Sequence, residues 1–409
     1  MKILLLGLVW PEPTSSAAGW RLLQIIKLLC AGNEVHFASA AMKSEFSYDL
    51  KSLDVIEEPI YLNDSSFDVY IKTLAPDVVI FDRFMVEEQY GWRVIANCPN
   101  ALRILDTEDL HFVRLARQES YKKGTPLQLK SDTAKREIAS ILRSDLSLII
   151  SSEEIKLLIE EFNIPSQQLF YLPFQEHLLS EQEIFERRKF DERADFIFIG
   201  NFIHEPNWRT VEILKREIWP ELRKSCPTAS LHIYGAYASE KVLQLHNERD
   251  RFFIKGRAVD ARDTIENYRV LIAPIPFGAG AKGKFVDAMY AGTPTVSSKV
   301  GAESMSSDDV WNGFITDEKR EFIDKSVLLY ADQKVWEESQ QAGFEIFNTV
   351  FADNTHSVKF LNWIDTYHNN VHVLRESNFL GQILLQNQLS ATKYMSLWIE
   401  EKNKRKSEN

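Results

Sequence analysis

Short apolar runs that do not alternate with polar residues recur along the chain, with amphipathic stretches between them. In the first half these runs are Ile3–Leu6, Glu34–Ser39, Val78–Phe81, Leu102–Leu105 and Leu146–Ile150. A strand covered on both faces reads this way because neither side meets water, so the pattern predicts a parallel sheet flanked by helices. Between the first two runs, Leu22, Ile25, Ile26 and Leu29 recur at helical spacing, with Arg21, Gln24 and Lys27 assigned to the opposite, polar face. That is a β-α-β unit. The pattern restarts after Phe174–Asp195, a charged connector without a strand signal. It then gives Phe196–Gly200, Leu231–Tyr234, Phe252–Lys255, Val270–Ala273 and Thr295–Ser298, with Val211, Leu214, Ile218 and Leu222 on one face of the intervening helix. Each half opens with a strand running into glycine, ILLLG and FIFIG. The predicted architecture is α/β: two doubly wound, Rossmann-like domains facing a cleft, residues 1–175 and 176–345, with a helical C-terminal extension over 346–409.

Length and composition agree with that division. A chain of 409 residues exceeds one ordinary core, and 44% hydrophobic with 11% aromatic residues excludes a disordered chain. The formal charge is 48 − 59 = −11, which repels phosphate backbones and excludes bulk nucleic acid as a partner. Cys30, Cys98 and Cys226 are scattered and odd in number, so they predict neither a disulfide framework nor a zinc site. The apolar start, Met1–Trp10, is short and runs into Pro11-Glu12-Pro13 with no small-residue cleavage site, and nothing later approaches a spanning segment. A cytoplasmic location follows as an expectation, with peripheral contact to a membrane left open.

The most informative segment is Val270–Pro294, VLIAPIPFGAGAKGKFVDAMYAGTP. A strand enters a glycine-rich turn and then a helix, an arrangement that presents free backbone N–H groups to an anion. Lys282 and Lys284 add positive charge. Gly278, Gly280 and Gly283 fit the dinucleotide spacing GxGxxG, with Glu303 downstream, but that device belongs after the first strand of its domain and this loop follows the fourth. Gly278–Lys284 also fits the start of a P-loop. Phe285 stands where the magnesium-binding hydroxyl belongs, so that reading fails.

The segment FGAGAKGKFVDAMYAGTPTV resembles the donor-binding stretch of GT-B retaining glycosyltransferases of the family 4 group, in the branch with an FGaGxKgK pattern. Phe198–Asn207, Trp219-Pro220, Leu231–Gly235 and Ile254–Arg257 follow in that family's order, and Pro11–Arg21 resembles its first N-domain loop. The resemblance spans most of residues 1–305. It implies a nucleotide-sugar donor bound in the cleft, an unidentified acceptor, retention of anomeric configuration, and no cofactor or metal. It places Gly19, Gly200, Asn201, His204, Asn207, Arg257, Val259, Gly278, Ala279, Gly280, Lys282 and Asp287 at the donor, with the loop amides around Gly278–Gly280 and Lys282 stabilising the departing diphosphate. The family's first glutamate falls at Ala279 and is missing; its second, a ribose ligand, corresponds to Asp287. An Arg/Lys pair that many relatives carry after the first C-domain strand is absent from Asn201–Asn207, which throws more weight on Lys282.

On the other side of the cleft, Asp106 corresponds to a catalytic-side histidine of many relatives, with His111 close by. Arg21, Asp82, Glu108 and Asp109 are the acceptor-side candidates. Two other classes stay open: a nucleotide-sugar-binding scaffold that has lost activity, and a nucleotide-sugar epimerase on the same fold. In the last segment, Phe379, Leu380, Ile383, Leu384, Met395, Leu397, Trp398 and Ile399 are too apolar for a free tail. They predict packing on the protein itself or on a twin chain in a homo-oligomer, ahead of anchoring to a membrane through Lys402, Lys404, Arg405 and Lys406.

Overall fold

The structure, a computed structural model, describes residues 1–306 and 310–407, with the side chains of 387–391 and 405–407 left aside. The first domain is a seven-stranded sheet: β1 (Lys2–Gly7), β2 (Glu34–Ser39), β3 (Ile56–Pro59), β4 (Val78–Asp82), β5 (Leu102–Asp106), β6 (Leu146–Ile149) and β7 (Leu169–Tyr171). The second is six-stranded: β8 (Ala194–Ile199), β9 (Leu231–Tyr234), β10 (Phe252–Gly256), β11 (Tyr268–Ala273), β12 (Thr295–Ser297) and β13 (Gly313–Ile315). Strand orders are 3-2-1-4-5-6-7 and 10-9-8-11-12-13, and neighbouring strands pair parallel. Each order reverses beside its first strand, and such switch points open crevices at the carboxyl ends of strands.

All ten strands read from the sequence are present. The unread ones, β3, β7 and β13, are short. β3 is an edge strand carrying Glu57, Glu58 and Pro59, residues that an edge tolerates and a hydrophobic scan passes over.

The chain does not finish where its second sheet ends. Phe347 and Phe351 belong to the second domain's core, but Phe360, Ile364 and Val371 are buried in the core of the first. The segment 346–409, expected as one appendage, is therefore divided between the domains, and its later helices return to the N-domain. Arg375 secures that return. Its Nε and Nη2 donate to the two carboxylate oxygens of Asp145, each at 2.8 Å, and Nη2 also reaches the Ala101 carbonyl. Asp145 in turn accepts from the Arg103 amide at 2.9 Å. The long helix Phe379–Ser407 then lies along the helices Asp132–Arg143 and Phe84–Asn97. Asn378 Nδ2 donates to the Leu142 carbonyl at 2.6 Å, and Ser396 to Asn63 at 2.9 Å. Packing on the protein itself is what the structure gives for the buried side of this helix. Glu408, close behind Lys404 and Lys406 in the sequence, lies outside the described residues.

Because Asp145 is buried and keeps only Arg103 when Arg375 is removed, Arg375→Ala is expected to cost about 2 kcal/mol of folding stability, the range for hydrogen bonds to charged groups. Urea denaturation measures it, and Arg375→Lys should recover part of the loss.

Candidate functional site

The carboxyl ends of both sheets face each other, and the glycine loop after β11 crosses the gap. Gly280 has φ +64, and a Cβ there would stand 2.8 Å from Cβ of Asp109 in the other domain. Only glycine satisfies both the backbone and that contact. The Gly280 amide donates to Glu154 Oε1 at 2.7 Å, and the same oxygen accepts from the Leu110 amide at 3.1 Å. Gly283 opens the helix Gly283–Tyr290, and its Cβ would stand 2.7 Å from Cβ of Ala17, the first residue of the helix Ala17–Leu29. Two helix N-termini from opposite domains thus meet in the cleft. A third helix, Glu205–Ile213, starts beside them after His204. Asn201 joins the groups by donating from Nδ2 to the Ser15 carbonyl at 3.2 Å.

Lys284 lies in the middle. Its Nζ donates to Asn207 Oδ1 at 2.7 Å and sits 4.4 Å from the Phe198 ring centre. Asn207 Nδ2 donates to the Asn201 carbonyl at 2.8 Å. Gly200 makes room for that amide, since a Cβ there would stand 2.6 Å from Asn207 Cγ. Lys282 donates from Nζ to the Gly280 carbonyl at 2.8 Å and stands 4.0 Å from Glu303. Glu303 is gripped by Arg117 through two bonds of 2.6 and 3.0 Å, and Arg117 also donates to the Gly278 carbonyl at 2.8 Å. Burial lowers both lysines, Lys282 to about 8 with partial compensation from Glu303, and Lys284 to about 7 with Lys282 adding repulsion. They are crowded cations, which an arriving anion would relieve. His204 is open to the cleft, yet the protein crowding it holds its pKa down to about 4, against the pull of Asp109.

Several sequence readings need correction here. Arg21 is not on a solvated face: it is 1% exposed, donates from Nη2 to Asp106 Oδ1 at 2.9 Å and also bonds the Leu172 carbonyl. Asp106, read as catalytic, is therefore held in a buried ion pair. Gln24 is buried too, bonding Glu176 and the Gln175 carbonyl. Gly19 lies under the backbone of Glu12, 2.5 Å from where a Cβ would sit, so the close approach it permits is internal to the chain. The Gly280 amide, assigned to diphosphate, is taken by Glu154; Ala279 packs on the N-domain core. Asp287, read as a ribose ligand, accepts from Arg262 Nε at 2.9 Å, and Arg262 also bonds Glu176 at 2.8 Å. Burial still lifts Asp287 to about 6, outweighing that arginine. Arg257 stacks on Phe46 at 3.6 Å and donates to Ser15 Oγ at 2.7 Å, bridging the domains, while Val259 is 93% exposed.

The acceptor-side candidates do come together. Asp82 and Asp106 are register partners at the ends of β4 and β5. Glu108 follows, and Arg83 and Glu108 both adopt left-handed backbone at φ 72 and 62, strain that concentrates at functional sites. Burial raises Asp82 and, more strongly, Glu108, with Asp106 pushing the same way. Asp82 Oδ1, Asp106 Oδ2 and Glu108 Oε1 lack hydrogen-bond donors among the described residues. Asp109 behaves differently: burial pushes it up, but Arg114 at 2.7 Å and His111 hold it below the usual carboxylate range. His111 Nδ1 lies 3.4 Å from Asp109 and 3.6 Å from Glu137, at the start of the helix His111–Lys123. Sequence reading missed Glu154, Arg117, Glu176 and Arg262, and gave Lys284 only a supporting part. Only the lysine's place two residues after Lys282 carried a signal.

With this geometry in hand, comparison with known proteins places the fold. Residues 193–332, running from the edge of β8 through the helix Lys319–Ala331, match the family described as glycosyl transferases group 1. Sucrose-phosphate synthase from Thermosynechococcus elongatus superposes with a TM-score of 0.66 at 16% identity, covering 90% of this chain and 98% of that one. HepE of Anabaena, in a complex with UDP and glucose, gives 0.64 at 14% identity, covering 89% and 99%. S. aureus TarM, solved with fondaparinux, a GlcNAc-glycerol and UDP, gives 0.57 at 14% identity, covering 73% of this chain and only 58% of TarM. No curated protein sequence matches the chain. The fold is GT-B, and the second domain carries the group 1 glycosyltransferase pattern.

Glu154 Oε1 serves two buried amides, and burial together with the Asp109 charge raises this carboxyl to about 8, so it is largely protonated at neutral pH. Glu154→Gln is expected to stay within about 1 kcal/mol of wild type, whereas Glu154→Ala strands both amides and should cost about 2–4 kcal/mol. Equilibrium denaturation separates the two.

Proposed function

We propose that the protein is a glycosyltransferase that moves a sugar from a nucleoside-diphosphate donor to an acceptor hydroxyl with retention of configuration. The observation that carries this reading is the meeting of two helix N-termini from opposite domains, Ala17–Leu29 and Gly283–Tyr290, beside Lys282 and Lys284. Helix N-termini and buried cations favour a diphosphate, and favour it more as negative charge grows on the departing oxygen. The anomeric C–O bond to diphosphate breaks, the acceptor oxygen bonds to that carbon on the same face, and the acceptor's proton passes to a phosphate oxygen. The two lysines supply the positive charge that a metal would otherwise supply, so the reaction is read as metal-independent.

Asp82, Asp106 and Glu108 give the N-domain side its acidic character; their unpaired oxygens are enclosed by protein, so they act on the cleft through charge rather than by direct contact. HepE and TarM have been solved with UDP, which makes UDP-sugars the first donors to try here. A thermal-shift panel of nucleotide sugars finds the donor. Product analysis then tests the class: an α-linked donor should give an α-linked product. Conversion of donor without acceptor would point to an epimerase, and tight binding with no turnover in the presence of acceptors to a scaffold.

Two further outcomes are expected. Lys284→Ala and Lys282→Ala should each lower kcat/KM by about 10²–10³, the scale for one preorganised donor, with little change in melting temperature. Free Lys282 and Lys284 titrate near 8 and 7, and a bound diphosphate raises both, so binding takes up protons. Donor affinity should therefore fall as pH rises from 7 to 9, and flat affinity across that range would contradict the assignment.

A further inference from the structure

The helix Phe379–Ser407 buries one side and leaves the other bare. Gly381, Ser396 and Glu400 face the N-domain. Phe379, Leu380, Ile383, Tyr394, Met395, Leu397 and Trp398 are exposed, from 39% to 69%. At 3.6 residues per turn the exposed set falls within about 160° of the helix circumference and the inward set within about 100° on the opposite side. The described apolar residues thus share one outward sector, in two groups at 379–383 and 394–398 within about 30 Å of helix at 1.5 Å per residue, more exposed apolar surface than scattered single residues give. Tyr61 and Leu62, 66% and 59% exposed, precede Asn63, which Ser396 bonds from the helix's inward side.

We propose that this face docks the protein on an anionic membrane surface. No helix among the described residues is long and apolar enough to cross a membrane, so the contact is one of lying on the surface. The charges favour lipid over a twin chain. Residues 378–409 hold Lys393, Lys402, Lys404, Arg405 and Lys406 against Glu400, Glu401 and Glu408, a net of 5 − 3 = +2, on a chain whose total is −11. Glu400 is spent inward: it is 7% exposed and lies 3.5 Å from Arg93 and 3.0 Å from Lys404. On the outward side Lys402 stacks over Trp398 at 4.9 Å. Aromatic rings next to lysine suit the headgroup boundary, whereas the cores of protein–protein interfaces are depleted of lysine.

The full chain, sedimented with vesicles of phosphatidylcholine alone or mixed with phosphatidylserine, tests the proposal. Binding is expected to the mixed vesicles, to weaken with added salt, and to fall at least about tenfold in the double variant Tyr394→Glu, Trp398→Glu. Both positions are mostly exposed, so melting temperature should not change. Failure of the wild type to sediment, equal binding to phosphatidylcholine alone, or undiminished binding by the variant would each overturn the proposal. So would a wild-type dimer that the variant dissolves to monomer without any vesicle binding.

Discussion

The contact on which the site depends is the seating of the glycine loop, a C-domain element, against the N-domain. Gly280 fits under Asp109 and gives its amide to Glu154, and Gly283 lies against Ala17. Those contacts fix where the helix Gly283–Tyr290 starts, and hence where Lys282 and Lys284 place their charge. A larger residue at Gly280 or Gly283 would hold the domains apart by the thickness of a side chain, and the facing N-termini would no longer share one anion. Tyr237 donating to Glu12, Arg257 to Ser15 and Arg262 to Glu176 repeat the link around the cleft. Closure is therefore distributed, while the chemistry is concentrated in the loop.

The two halves of the cleft solve opposite electrostatic problems. The C-domain side crowds cations that burial has weakened, so it gains from a phosphate. The N-domain side crowds carboxyls, of which Asp106 is paired through Oδ1 with Arg21 and Glu108 is pushed toward its neutral form. One wall is prepared for an anion and the other turns it away, so the proposed nucleotide sugar would have its diphosphate end fixed on the C-domain side. Holding a leaving group and a polyol in fixed register removes orientational freedom that a reaction in solution must lose.

Much of this was legible from local pattern, and the rest was not local. Unalternated runs placed ten strands, and glycine spacing with two lysines marked the loop. Arg21 shows the limit: helical periodicity assigns it a polar face but cannot foresee that Asp106, 85 residues away, waits on that face. Glu154 and Arg117 escaped for the same reason, each acting on a partner in the other domain, and Arg262 because its partner Glu176 is 86 residues away. The return of Phe360 and Ile364 to the first core was hidden because a helix that crosses between domains has the same spacing as one that stays. Asp287 was read from the family pattern as a ribose ligand, but its partner Arg262 was set by tertiary structure.

The central claim is that the cleft recognises a diphosphate through the first-turn amides, Lys282 and Lys284. Isothermal titration of UDP against UMP tests it most directly, because the two share base and ribose and differ by one phosphate. The account predicts at least about tenfold tighter binding of UDP, a difference of about 1.4 kcal/mol, and its loss in Lys284→Ala. Equal affinity for the two nucleotides in the wild type, with the protein folded and saturable, would contradict it.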